Sequence, residues 1–354
     1  MTSNPSLKVS NFGEKELILS ILSISNQFNH NVDFINKIGD DCSVITLNDC
    51  YLISTSDMLI EKTHFPKAMS FYQMGFKVVT VNVSDLASMG STPLGFLLNM
   101  GIYKDLLLSD FEELVKGVND GCNYYNIPLI GGDTNQSDEI ILSGTALGEI
   151  SKKFKPMVKY GFNVGDLVCI TGKIGLAPLG FKLLSLDLNE LLNNNSNLSK
   201  DYCELCINEA LKPFAQLEAG KILIENSVKT ATDITDGLAS ELSELLSRDK
   251  TYCSTIYDNL DYDKGIRIYE NQIPVDEEYK IIAQTLNLDI NDLMFHTGED
   301  FQLLFTIDPN IESTLKNNLN FYVIGEVTNN NTLEMVLSNG DIKIMSSRGY
   351  QHLV

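Results

Sequence analysis

Carboxylates set beside hydroxyls and glycines recur where apolar segments of this chain begin or end. The stretches are Gly39-Asp40-Asp41, Ser54-Thr55-Ser56-Asp57, Asn82-Val83-Ser84-Asp85, Gly131-Gly132-Asp133-Thr134, Asp233-Ile234-Thr235-Asp236-Gly237 and Gly298-Glu299-Asp300. Ser, Thr and Asp commonly cap helices and close turns, so any one of these is ordinary local structure. Asp85, however, lies within an apolar helical run, and Asp133 follows "PLIGG", read as a short buried strand. A carboxylate removed from water without a partner is costly. Basic residues are scarce around these turns, so hard divalent cations suit them better than salt bridges. Magnesium takes oxygen ligands, keeps several waters, and favours one or two carboxylates plus substrate phosphates. Aspartates that would repel one another when bare therefore suit two or more magnesium ions clamping a polyphosphate.

Calcium is the competing reading, but the sequence contains no D-x-[DN]-x-[DN]-G loop with a following glutamate. Zinc would want Cys and His, and only 4 histidines are present. Gly131-Gly132 and Gly237 allow close backbone approach, and Gly237 precedes "LASELSELLS", whose helical N-terminus can hold a phosphate. The familiar nucleotide loops G-x-x-x-x-G-K-[ST] and G-x-G-x-x-G are absent, as is H-R-D. A nucleotide would thus be held mainly through metal, and the residues point to a multi-magnesium phosphoryl-transfer or ATP-using site.

Alternating strand and helix patterns must position these turns. "CSVITLNDCYLIST" reads as two strands around Asn48-Asp49, followed by the long apolar helix "SFYQMGFKVVTVNVSDLASMG". A strand, "PLGFLLNMGI", an amphipathic helix with Ser109 as its N-cap, and the strands "IPLIGGDT" and "EIILSGTALGEI" complete a β-β-α-β-α-β-β unit. The pattern restarts at "KYGFNVGDLVCITG", with helices over 175–226, an exposed polar loop "LNNNSNLS", and a strand-to-helix junction at "TATDITDGLASELSELLS". Two domains are expected, 1–152 and 153–354.

The chain has 354 residues, 44% hydrophobic and 21% charged, as an ordinary globular protein does. Its net charge of −21 disfavours a nucleic-acid or anionic-membrane surface. No apolar run is long enough to span a bilayer, and "MTSNPSLKVSN" lacks the form of a secretory signal. Seven scattered cysteines argue for reduced thiols and a cytoplasmic location. The lone Cys203/Cys206 C-x-x-C sits in a helix-like stretch and reads as ordinary thiols rather than a zinc or redox site.

The motifs "IGDDCSVI", "ISTSDMLIEKTHF", "VNVSDLASMG", "LIGGDT", "DITDGL", "GEDFQLLFT" and "GYQH", in this order, resemble those of thiamine-monophosphate kinases. That family belongs with the aminoimidazole ribonucleotide synthetases, selenophosphate synthetases and a hydrogenase maturation protein. The resemblance implies an α/β (α+β) two-domain fold of the aminoimidazole ribonucleotide synthetase type. Strands of the N-terminal domain would join those of a second subunit in a barrel across a homodimer interface. It also implies magnesium-dependent transfer of the γ-phosphoryl group of ATP to thiamine monophosphate, by direct in-line displacement.

Position by position, the resemblance makes Asp41, Asp57, Asp85, Asp133, Asp233 and Asp236 magnesium ligands, with Thr55 and Ser56 contributing hydroxyl or backbone oxygens. Gly132, Asp133, Lys159 and Thr235 fall at ATP positions. His64, seven residues after Asp57, and Glu299 and Tyr350 fall at substrate positions, with Glu299 facing the cationic or amino part of the substrate and Tyr350 over its rings. Two departures stand out. Lys159 replaces the family's arginine, keeping charge without the bidentate fork, and Ala210 to Gln216 lacks the family's His and Arg. Another ATP-using enzyme of the superfamily, a non-catalytic ATP- or metal-binding dimer, and an acidic calcium module remain as alternatives. A selenophosphate synthetase would want a cysteine within residues 1–38, and the maturation protein a C-terminal one; neither is present.

Overall fold

The computed structural model describes residues 39–256, 262–346 and 349, together with 17, 18, 20, 21 and 24. The first part of the chain gives β1 (Ser43–Thr46), β2 (Cys50–Ile60), the short α1 (Glu61–His64), α2 (Phe71–Ser88), β3 (Thr92–Ile102), α3 (Leu108–Tyr124), β4 (Leu129–Gln136) and β5 (Ile141–Ser151). The strands form an open sheet in the order β1-β2-β5-β3-β4, antiparallel except for the β3–β4 pair. In β2 the side chains alternate, so Ile53, Thr55 and Leu59 are buried while Ser56 and Met58 are exposed.

Helix α2 explains why one face of that sheet is dry. Every residue from Met74 to Ser88 is buried except Asp85, as expected of a helix that is apolar nearly all round. It starts at a capping box, Ser70 with Gln73. It packs on β2, β5 and α3. Among the described residues the opposite face is more open, with Met58 55% and Leu94 43% exposed.

The second part contributes β6 (Leu167–Ile170), α4 (Leu176–Leu184), α5 (Leu188–Asn194), α6 (Lys200–Leu211), α7 (Leu217–Glu225), β7 (Thr230–Asp233), α8 (Leu238–Ile256), β8 (Gly265–Tyr269), α9 (Glu277–Thr285), β9 (Leu303–Ile307), α10 (Glu312–Lys316), β10 (Tyr322–Thr328), β11 (Leu333–Val336) and β12 (Ile342–Ile344). Its sheet runs β12-β11-β8-β10-β6-β9-β7. One apolar core includes residues of β1, β2, β3 and β5 and reaches Ala231, Leu303 and Phe305 of the second sheet; another lies beneath α4, α6 and α8. Helix α2 also touches α7 and β7, so it is the element shared by both sheets.

The mixed α/β architecture agrees with expectation, and three local readings change. Strand β4 is exposed at every position rather than buried, because among the described residues it is the last strand and pairs with β3 alone. Ser109 lies inside α3, whose cap position is Leu107 without a side-chain bond; Asp110 supplies the negative charge that the first turn favours. The first half of "LNNNSNLS" is the end of α5, capped by Asp187. The seven cysteines are free thiols, and Cys203 and Cys206 are buried core residues.

Candidate active site

Strand β2 turns Thr55 and Asp57 toward α2, and α2 returns Asp85 to Thr55 of β2 and Ser84 to Asp233 of β7. Asp41 precedes β1, and Asp233 ends β7. One carboxylate oxygen from each of Asp41, Asp85 and Asp233 lies within 4.8 Å of the others. The surrounding polar groups serve these acids. The Thr55 hydroxyl donates to Asp85 Oδ2, and the Ser84 hydroxyl donates to Asp233 Oδ2 at 2.5 Å. Asn82 Oδ1 accepts from the Asp57 amide at 3.1 Å and so holds that backbone in place.

Salt bridges, disfavoured by the scarcity of basic residues nearby in sequence, do reach the cluster. Lys159 Nζ lies 2.5 Å from Asp41 Oδ1 and 3.2 Å from Glu244 Oε2. One ammonium shared in this way does not balance the group. Burial, then the charges of Asp57, Asp233 and Asp41, drives the Asp85 carboxyl well above its usual range. Burial followed by Asp41 pushes Asp233 up to about 8 and Asp40 up to about 7. Burial also raises Asp57 to about 6, against a hydrogen bond with Asp85. Without a counter-cation the cluster therefore holds protons, since neighbouring buried carboxylates cannot all ionise at low cost. Asp41 Oδ2 is buried with no hydrogen-bond partner. An oxygen-only donor set, surplus negative charge and an orphaned carboxylate oxygen fit magnesium.

From Asp57 and Asp85 a cleft of about 860 Å³ runs between the two sheets, lined also by His64, Thr235, Asp236 and Glu299. His64 Nδ1 lies 2.9 Å from the Ile60 amide nitrogen and 3.2 Å from the Ile60 carbonyl oxygen, which ties the ring to the end of β2. On the opposite wall, the Glu299 amide donates to the Thr235 carbonyl at 2.8 Å. The two loops lie so close that a Cβ on Gly298 would fall 1.7 Å from the Thr235 oxygen. The chain must be glycine there.

Of the residues singled out in the sequence, Asp41, Thr55, Asp57, Asp85 and Asp233 come together, and Asp236, Thr235, His64 and Glu299 share the cleft. Others do not join them. Ser56 lies on the opposite face of β2 from Thr55, its hydroxyl donating to the Gly144 carbonyl at 2.8 Å, although it touches the cleft's edge. Gly132 and Asp133 sit on the exposed β4. Asp133 pairs with Asn99, Asn99 with Ser143, and Ser143 with Met58, so three strand spacings, about 14 Å, separate Asp133 from β2. Its carboxylate accepts from the Thr134 amide and the Asn135 side chain. A side chain at Gly132 would strike the Leu98 carbonyl, 1.8 Å away, so its glycine serves strand packing in any case. Tyr350 lies outside the described residues.

Sequence reasoning assigned no role to Lys77 or Glu244, and none to Ser84 beyond its place beside Asp85. Lys77 Nζ lies 2.8 and 2.7 Å from the two oxygens of Glu299 and is fully buried. A lysine inside "MGFKVVTVNVSD" carries the same signal as Asp85, a charge where the helix should be apolar.

This geometry is that of a two-sheet protein with an acid-lined cleft between the sheets. Residues 39–150 match the family described as AIR synthase related protein, N-terminal domain. A thiamine-monophosphate kinase of Methanocaldococcus jannaschii is 32% identical over 88% of this chain and 91% of that protein. One of Bacillus subtilis is 27% identical over 94% and 98%. The fold matches AaThiL complexed with AMPPCP and TMP at a TM-score of 0.79 and 24% identity, covering 98% of this chain and 99% of that one. The chain belongs to the thiamine-monophosphate kinase family.

Proposed function

We propose that this protein transfers the γ-phosphoryl group of ATP to thiamine monophosphate, giving thiamine diphosphate and ADP. The observation that carries this reading is the under-compensated cluster of Asp41, Asp85 and Asp233 at one end of a cleft large enough for both substrates. Family membership supports the choice of substrates.

Asp41, Asp57, Asp85 and Asp233, with the Thr55 hydroxyl, would hold magnesium, and Asp236 would reach it from the cleft wall. Bound there, the metal supplies positive charge to the phosphates, the main demand of phosphoryl transfer. The residues of the chain do the rest. His64, in the wall of the cleft, suits the incoming monophosphate. Thr235 and the amides opening α8 suit the ATP phosphates. Lys159, tied to Asp41 and Glu244, serves as a counter-charge to the acids rather than as a freely reaching nucleotide contact. The acceptor is already a phosphate oxygen, so in-line transfer needs positioning and charge but no protein nucleophile. A phosphorylated Asp or His isolated after ATP treatment would overturn that route.

Gly132 and Asp133 enter the reading through a second copy. Among the described residues the outer face and edge of the first sheet expose Met58, Leu94, Leu129 and Ile130, an apolar surface that supports a homodimer. Across it β4 of one copy would approach the cleft of the other. The first sheet and its helices would then form the domain 1–152 and the second sheet the domain 153–354. Among the described residues no helix is long and apolar enough to cross a membrane, and with free thiols throughout we place the enzyme in the cytoplasm.

The test is incubation with ATP, magnesium and thiamine monophosphate, following thiamine diphosphate by chromatography. Metal-dependent product from the monophosphate, and none from free thiamine, is the expected result. ATP binding without product would reject the kinase reading.

A further inference from the structure

Behind the wall of the cleft lies a charge that the reaction does not require. Lys77 is fully buried, and a buried ammonium is tolerated only where its protons are satisfied. All three have partners: Glu299 Oε1 at 2.8 Å, Glu299 Oε2 at 2.7 Å and the His64 carbonyl at 3.0 Å. The Glu299 side chain is 28% exposed and that of Lys77 0%, so the carboxylate forms the surface and the ammonium backs it. Glu299 adopts a left-handed backbone conformation, φ 73°, which residues with a side chain rarely take unless surrounding bonds impose it. Its amide bond to Thr235 and its ion pair with Lys77 are those bonds.

We infer that Lys77 is a positioning residue for substrate recognition, fixing and neutralising Glu299 so that this acid reads the exocyclic amine of the substrate's pyrimidine. The inference rests on the kinase reading above and sharpens it. A carboxylate paired at both oxygens presents little net charge to a distant cation. It keeps lone pairs for an N–H donor, because each carboxylate oxygen can accept more than one bond. The thiazolium ring is a cation without an N–H and gains little from such a neutral pair. The aminopyrimidine has an amine that fits it. The same ammonium holds the His64 carbonyl, so one lysine aligns groups from both walls of the cleft.

The experiment is steady-state kinetics on Lys77→Met, Glu299→Gln and the double variant, each with its unfolding temperature, using thiamine monophosphate and oxythiamine monophosphate, in which an oxo group replaces the amine. Removing a charge-assisted contact should raise KM for thiamine monophosphate about tenfold or more in Lys77→Met, with KM for ATP within about threefold of wild type. The double variant, with no charge left unpaired, should recover part of that loss. Glu299→Gln, whose amide can donate, should narrow the preference for the amine over the oxo analogue. The inference is overturned if Lys77→Met leaves KM for thiamine monophosphate unchanged. It is equally overturned if kcat and both KM values worsen together with a lowered unfolding temperature, or if Glu299→Gln leaves the analogue preference intact. A wild-type protein that forms no thiamine diphosphate would remove the kinase reading and this inference with it; an active wild type with a silent Lys77→Met removes the inference alone.

Discussion

The two ends of the cleft treat charge in opposite ways. At one end Asp41, Asp57, Asp85 and Asp233 crowd together with a single lysine that is itself shared with Glu244. At the other, Glu299 has a lysine to itself, held on both oxygens. The first end is electrostatically incomplete without a diffusible cation, and the second is complete as folded. Phosphates arrive with metal, so the protein can leave their site unbalanced. An organic ring system arrives without a counter-ion of its own, so its site must already be neutral.

The largest expected effect comes from breaking the incomplete end. Asp85→Asn should lower kcat by on the order of a thousandfold, about 4 kcal/mol of lost charge stabilisation. In metal-free solution at pH 8 the same variant should be more stable than wild type, by about 1–2 kcal/mol, because one repelling carboxylate is gone. Activity assays and chelator-treated thermal unfolding read both. A variant that is active, or that loses metal-free stability, would place Asp85 outside the cluster's electrostatic balance.

The next effect is one of pH. The Asp40, Asp57 and Asp233 carboxyls are raised in the folded state to about 7, 6 and 8 from 3.8. A raised carboxyl favours the folded state while it is protonated, so this contribution is fully present below the unfolded value near 4 and is lost progressively as pH climbs from there to the folded values, the last of them about 8. The metal-free protein should melt at a lower temperature at pH 8.5 than at pH 5.5, and magnesium should raise the melting temperature more at pH 8.5. A metal-free melting temperature that is flat or rising over that interval would sink the comparison between the two ends.

The smallest effect sharpens it. Ser84→Ala removes the hydroxyl that donates to Asp233 and should cost about 1–3 kcal/mol of stability. The loss should shrink when magnesium is present, because the metal then shares the same carboxylate. An undiminished loss in saturating magnesium would mean that Asp233 is not a ligand.

Much of this was legible in the sequence. Asp85 betrayed itself as a charge in an apolar helix, and the "TSD" of β2 alternates as a strand must, which sends Thr55 and Asp57 one way and Ser56 the other. The same alternation sends the Ser56 hydroxyl to the Gly144 carbonyl, away from Thr55 and Asp57. The strand that carries Asp133 was read as buried for a different reason. "PLIGG" is apolar enough for a core strand, and nothing local in a sequence says that its strand will be the last in the sheet. The ion pairs of Lys159 and Lys77 were hidden by distance along the chain, since their partners Asp41 and Glu299 lie more than a hundred residues away. Proximity in sequence is a poor guide to which charges meet.

Helix α2 carries Lys77 and Asp85 on one face, eight residues apart, with Val81 between them lining the cleft. At 1.5 Å per residue that interval is about 12 Å. The helix therefore acts as a ruler, with its two marks set by covalent geometry rather than by loops that could drift. An insertion of one residue between them would turn Asp85 by about 100° and carry it off the cleft. Length changes should therefore be confined to the connections at either end of α2, and a substrate whose ring and phosphate stand at the wrong separation would engage one mark only.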